Sequence, residues 1–343
     1  MRRYIFTALT AAYALAGCAT SGGAGLPHTA GIAARTLVPA GSKPGKITFF
    51  KDDYADPVPQ GITAGPDGAL WFTDSGNDTI GRMTTHGQFK FYHTGVEVSV
   101  GITTGPDGAL WFTVAQGPSN PLVGRITTGG TVTFFSDPGG SYPQGITTGP
   151  DGALWFGEMN GTIGRMTTAG AVMHFKVASP RATIESIVSG PDGALWATRT
   201  GNHIRGAVIR LAITAQVQTW PDQGGPQFIC VGPDKALWFT EFAGEIGRIT
   251  TGGAITNFPV NHGSYNAFLG GIAAGADGAL WFVIDSTHGG SAIGRMTTAG
   301  KAKYYDFPAS GTPELYGVTA GPLHDIWFTS AASPTGVGSI TTL

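Results

Sequence analysis

The chain has 343 residues, 55 of them glycine, with 41% hydrophobic, 10% aromatic and only 12% charged residues. Sparse charge beside abundant glycine and aromatics suits a turn-rich all-β protein with a sizeable core. The formal net charge of −2 includes no basic stripe or Lys/Arg cluster, which argues against nucleic acid as a partner.

Residues 1–17 read as an export signal. Arg2 and Arg3 form a short basic region, and 4–14 is an apolar run too short to span a bilayer. The next residues, Leu15-Ala16-Gly17-Cys18, resemble the lipobox of bacterial lipoproteins, in which the cysteine is lipidated and becomes the new N-terminus. An ordinary secretory signal with an incidental cysteine is the other reading. Lipid on Cys18 would hold an exported protein on a bacterial membrane, facing periplasm or cell exterior, without a transmembrane helix. Residues 18–45, rich in Ala, Gly, Ser, Thr and Pro, read as a tether. Cys230, the other cysteine, stands in the apolar run PQFICVG and reads as a small buried hydrophobe.

From residue 46 onward one pattern recurs. Its marker is a tryptophan after an apolar residue: Trp71, Trp111, Trp155, Trp196, Trp238, Trp281 and Trp327, spaced 40, 44, 41, 42, 43 and 46 residues apart. Seven copies of about 40–45 residues are the period of a four-stranded propeller blade. In the first copy strand a is expected at 61–64, b at 69–73, c at 79–83 and d at 88–92, separated by Gly-Pro-Asp-Gly and Thr-Thr-x-Gly turns. The expected fold over 46–343 is an all-β, seven-bladed β-propeller of four-stranded antiparallel blades. The last copy stops after strand c, while 46–50 (KITFF) matches strand d segments such as TVTFF. The N-terminal strand should therefore complete the last blade and close the ring, removing exposed edges.

Copies one to six also carry an aspartate in the a–b turn (67, 107, 151, 192, 234, 277) and an arginine in strand c (82, 125, 165, 210, 248, 295); copy seven has Leu323 and Ser339. Both partners vanish together, which suggests an ion pair within the scaffold.

Binding residues are expected at the end of the ring where loops vary, formed by the d–a connections and b–c loops. The positions just before each strand a are Gln60, Val100, Gln144, Glu185, Gln227, Gly270 and Tyr316, and the ends of strand b add Asp74, Glu158, Arg199, Glu241 and Asp285. Together they predict an acid-leaning mouth, with Gln60, Gln144, Glu185, Gln227, Glu158 and Glu241 as candidate ligand-binding residues for a small molecule or envelope ligand. Convergent carboxylates can hold a hard cation or act as acid and base, and a solvated rim of hydrogen-bonded glutamates has the same composition. The histidines show no metal-ligand spacing, and no HExxH, GxSxG or P-loop is present.

The units GITxGPDGALWFTE, IGRITTxG and the aromatic strand that follows resemble the virginiamycin B lyase (streptogramin lyase) family over nearly all of 46–343. The resemblance implies a seven-bladed propeller that linearises a streptogramin B depsipeptide by elimination at its ester, with Mg2+. A base removes a proton alpha to a carbonyl, the metal stabilises the developing enolate, and the ester carboxylate leaves. The family has a histidine before strand a in each of the last two blades; here those positions are Gly270 and Tyr316. Glu314 matches the glutamate two residues before the second histidine and is the implied metal residue. Ser330 and Ala331 follow where the family has a glutamate, and Gln60 replaces a tyrosine. His262, in the loop before Gly270, and His288, after Trp281, are the histidines near enough in sequence to substitute. With Glu314 and Tyr316 they form the candidate catalytic set. Two functions stand: a metal-assisted lyase on a cyclic depsipeptide or related ester, and a non-catalytic ligand- or protein-binding lipoprotein, in either case expected as a monomer.

Overall fold

The computed structural model describes residues 45–52, 57–114, 122–201, 205–262, 268–285, 290–307, 313–332 and 334–342. The signal segment, Cys18 and the tether up to residue 44 lie outside them. The described residues form 28 strands in seven four-stranded antiparallel sheets, with no helix among them. Blade 1 comprises Pro59–Ala64, Leu70–Asp74, Thr79–Met83 and Phe89–His93 as strands a to d. The a strands pack on one another around the ring and are innermost.

Ring closure follows the sequence expectation. Blade 7 contains Leu315–Ala320, Ile326–Ser330 and Gly336–Ile340, and its outermost strand is Ile47–Lys51. The register runs from Ile47 opposite Ile340 to Lys51 opposite Gly336. A ring whose last sheet joins the first and last described strands has no open edge between blades.

Three repeated contacts explain the motif. Strand b is buried almost throughout because it lies between neighbouring blades, and its tryptophan stacks on an aromatic of strand d: Trp71 on Tyr92, Trp196 on Trp220, Trp327 on Phe50. The turn aspartate then grips two groups of its own blade. Asp67 accepts from Trp71 Nε1 at 2.9 Å and from Arg82 Nε at 2.7 Å, and the same clasp recurs at Asp107, Asp151, Asp192, Asp234 and Asp277. Burial alone would push the Asp67 carboxyl up, but the hydrogen bonds from Trp71 and Arg82 outweigh it and hold the group below its ordinary value. In blade 7, where Leu323 replaces the aspartate, Trp327 Nε1 is buried without an acceptor among the described residues.

The third contact is between the strand b phenylalanine and the glycine of Ile-Gly-Arg. Phe112 lies opposite Gly124, and a Cβ on Gly124 would collide with the ring, with Phe112 Cε1 at 2.7 Å. Six blades have this Phe/Gly pair. Blade 4 alone has Ala197 opposite Ile209, both fully buried. The bulk has moved from one strand to the other.

Candidate functional site

At the variable end of the ring, every strand a loses register with strand b at the same point, between Pro59 and Ile62 in blade 1 and between Leu315 and Val318 in blade 7. Such a bulge leaves a residue out of the ladder and re-aims its side chain. Gln60, Val100, Gln144, Glu185, Gln227, Gly270 and Tyr316 all occupy these bulges, so they lie inside strand a rather than before it. In five blades the N–H that follows is taken by a threonine near the end of strand b; blades 3 and 6 have Gly157 and Val283 there. Gly61 donates to Thr73 Oγ1 at 3.1 Å, Gly101 to Thr113 at 3.0 Å, Ser186 to Thr198 at 3.2 Å, Phe228 to Thr240 at 3.3 Å and Gly317 to Thr329 at 2.9 Å. Thr329 Oγ1 also donates to the Gln60 carbonyl at 2.6 Å, and Thr198 to that of Gln227, tying each bulge to the next blade.

The mouth is therefore a ring of bulge residues, richest in amides. Gln60 and Gln227 are buried, and Gln227 Oε1 has no hydrogen-bond partner among the described residues. Gln144 Nε2 donates to the Tyr142 carbonyl at 3.0 Å, and Tyr142 itself has φ of 45°, a conformation a bulky residue rarely adopts. Glu185 accepts from the Thr200 hydroxyl, and burial raises its carboxyl above the ordinary value. Glu314 is exposed, and the Tyr316 hydroxyl approaches its Oε2 at 3.4 Å. Tyr142, Met159 and Phe242 are exposed in loops of this end, with Phe242 beside Phe268 at 6.0 Å between ring centroids.

Glu158 and Glu241 are not brought to this mouth. Both end strand b and are fully buried, facing outward to strand d at seams between blades. Glu158 meets Asp137, from the blade 2–3 connection, and His174, from strand d of blade 3. His174 Nε2 lies 2.7 Å from Asp137 Oδ1 and 3.3 Å from Glu158 Oε1, and the Thr162 hydroxyl donates to Glu158 Oε2. Hydrogen bonds to Asp137 and Glu158 raise the imidazole to about 10, while burial pushes the Glu158 carboxyl up. Glu241 sits in the equivalent seam between blades 4 and 5, accepting from Asn257 Nδ2 at 3.0 Å. Burial, with the charges of Asp222 and Glu245, pushes it up to about 8. Asp74 likewise turns inward on its own loop, accepting from Val58 N and Asn77 Nδ2. Sequence reading missed Asp137 and His174. The signal available was the repeated Asp-x-Gly-Gly at 137–140 and 222–225.

His262 is placed against the outermost strand of blade 6, with Nε2 2.6 Å from Asp306 Oδ1 and its ring 4.9 Å from that of Tyr304. It does not replace the histidine absent at Gly270 on the innermost strand. His288 lies outside the described residues. A divalent ion at the mouth would need several converging donors. Glu314 is an exposed carboxylate beside Tyr316, Glu185 is committed to Thr200, and the single set of three ligating groups among the described residues is Asp137, Glu158 and His174. The mouth residues do not fit a resident Mg2+. At the opposite end, a cavity of about 830 Å3 is lined by turn residues such as Pro66, Ala276 and Pro322, with His324 its one titratable group.

A sequence model of the virginiamycin B lyase family matches the chain over three overlapping stretches, residues 38–183, 100–269 and 138–343. No curated protein sequence matches it. Among solved structures, a streptogramin B lyase is 28% identical, covers 88% of this chain and 98% of its own, and has a TM-score of 0.77. A catalytically inactive histidine-to-alanine variant of virginiamycin B lyase from Staphylococcus aureus, with quinupristin, is 31% identical, covers 87% of this chain and 99% of its own, and has the same TM-score of 0.77.

Proposed function

Starting from a chain that belongs to the virginiamycin B lyase family, we propose that the amide-lined end of its propeller binds a small peptide-like molecule without performing the family's metal-assisted elimination. The observation that carries this reading is the ring of bulge residues. Three glutamines offer paired donors and acceptors that match peptide groups, and Gln227 Oε1 is buried with no partner of its own. Tyr142, Met159 and Phe242 add exposed apolar surface beside them, as small-molecule sites usually have. Elimination needs a base at the alpha carbon and a charge facing the enolate. Gly270 offers neither, and a tyrosine at 316 is a weak base at its ordinary pKa.

Quinupristin, the compound with the Staphylococcus aureus enzyme, is a suitable probe. The test titrates it calorimetrically into the purified chain and separately incubates it with Mg2+, followed by chromatography with mass detection. Saturable binding that weakens in Gln227→Ala, with the cyclic compound recovered intact, is expected. A product of unchanged mass and altered retention is the linear isomer and would refute the non-catalytic reading. Export and lipid attachment belong to the same proposal, on the strength of residues 15–18. Cys18→Ser should move the protein from the membrane fraction to the soluble one.

A further inference from the structure

The seam between blades 2 and 3 carries three side chains that the proposed binding face does not use. Asp137 and Glu158 are fully buried, and His174 closes the group from strand d; one ligating atom of each lies within 4.8 Å of the others. Each carboxylate has one oxygen held by a short hydrogen bond and one turned toward a shared space. Asp137 Oδ1 is held by His174 and Glu158 Oε2 by Thr162, whereas among the described residues Asp137 Oδ2 has no hydrogen-bond partner and Glu158 Oε1 has only His174 Nε2 at 3.3 Å. Those two oxygens converge on Gly140, where any Cβ would strike both. The glycine leaves open the space the two oxygens face.

With both carboxylates ionised, one imidazolium leaves an uncompensated negative charge, which is costly away from water. A divalent cation taking the place of the proton on His174 Nε2 would engage that nitrogen and the two inward-turned oxygens and balance both carboxylates. The imidazole nitrogen favours Zn2+ over Mg2+ and Ca2+, and the two carboxylate oxygens also admit Mn2+. We propose that Asp137, Glu158 and His174 form a binding site for a divalent transition-metal ion, Zn2+ or Mn2+, that staples blade 2 to blade 3. It would also fix the connection leading through Tyr142 to Gln144 in the mouth.

The blade 4–5 seam is a built-in comparison. Asp222 and Glu241 take the corresponding places, Gly224 is blocked from bearing a side chain by Glu241 Oε2, and Asn257 stands where His174 does. Its amide donates to Glu241 and supplies no imidazole nitrogen. His174→Asn therefore recreates an arrangement the chain already accommodates, removing the ligand while keeping a hydrogen-bonding side chain.

The experiment uses the tag-free full chain, stripped with chelator and titrated with Zn2+ and with Mn2+ by calorimetry, with thermal unfolding followed alongside. The expected result is one ion per chain and a higher unfolding temperature at saturation. His174→Asn should weaken binding beyond the roughly 10–100-fold typical of losing a mere outer-shell partner, and Asp137→Asn should do the same. Both variants should keep the parent circular dichroism. Absence of saturable binding of either ion to folded protein overturns the site, and the two buried carboxyls then share a proton instead. Binding unchanged in His174→Asn overturns it equally. Neither outcome bears on whether the mouth binds quinupristin.

Discussion

The exchange of bulk in blade 4 can be reproduced in blade 2. A Cβ on Gly124 would stand 2.7 Å from Phe112 Cε1, with two further ring atoms closer still. Ordinary carbon contacts begin near 3.4 Å, so the ring would have to retreat by 0.7 Å or more in a fully buried site. Gly124→Ile should thus cost at least the roughly 1–3 kcal/mol typical of overpacking. Phe112→Ala alone should cost about 3–5 kcal/mol by leaving a cavity. Independent effects would sum to about 4–8 kcal/mol. If the isoleucine fills the space the phenylalanine vacates, as Ile209 does beside Ala197, the double variant should lose only about 1–2 kcal/mol, as volume-conserving swaps do. The measurement is urea unfolding of all four proteins by tryptophan fluorescence, accepted where the m-values agree. Additivity within about 0.5 kcal/mol would refute the reasoning, because the blade 4 pair would then not be compensatory.

Two further outcomes follow from single side chains. Leu323→Asp should give Trp327 Nε1 the acceptor it lacks and raise stability by about 1 kcal/mol, seen as a higher unfolding temperature; no change would mean that the blade 7 turn cannot bring its carboxylate to the indole. Glu241 has a folded pKa of about 8, above the unfolded carboxylate value of about 4.3, so its protonated form is favoured by folding and stability falls as pH rises between the two. Glu241→Gln, which keeps the acceptor for Asn257, should therefore be more stable than the parent at pH 8 and equal to it near pH 4; equal stability at both pH values would contradict the burial argument.

Residue period made the ring legible, and residue parity could have carried the reading further. Tryptophan spacing marked all seven blades, and the joint loss at Leu323 and Ser339 marked the aspartate–arginine clasp, although not its third member, the indole. In the sequence, the place of Glu158 and Glu241 at the end of strand b, on the variable face, points them toward the mouth. A strand alternates sides, so Glu158 shares the side of Phe156, which packs on Gly164, and His174 is the residue opposite Gly164. Asp137 could not be found this way, since it comes from the connection between blades 2 and 3 and not from a strand. The bulges were also out of reach. They shift Gln60 and its equivalents into strand a, and nothing in GITAG distinguishes a bulged start from a plain one.

The bulge also explains how a family frame can keep its shape while its chemistry changes. At five of the bulges a structural bond runs from the neighbouring backbone N–H to the strand b threonine, and two of those threonines also reach the carbonyl of the next blade's bulge residue, as in Gly317 N to Thr329 and Thr329 to Gln60 O. None of them uses the bulge side chain. A glutamine, glutamate, glycine, valine or tyrosine therefore fits the same backbone, and this chain has all five. The clasp and the Phe/Gly packing lie toward the other end and the interior of each blade, out of contact with those positions. Replacement of the mouth residues then leaves the forces that hold the ring nearly untouched. Family membership here fixes the geometry of seven bulge positions, and the identity of the residues at them decides what the ring can do.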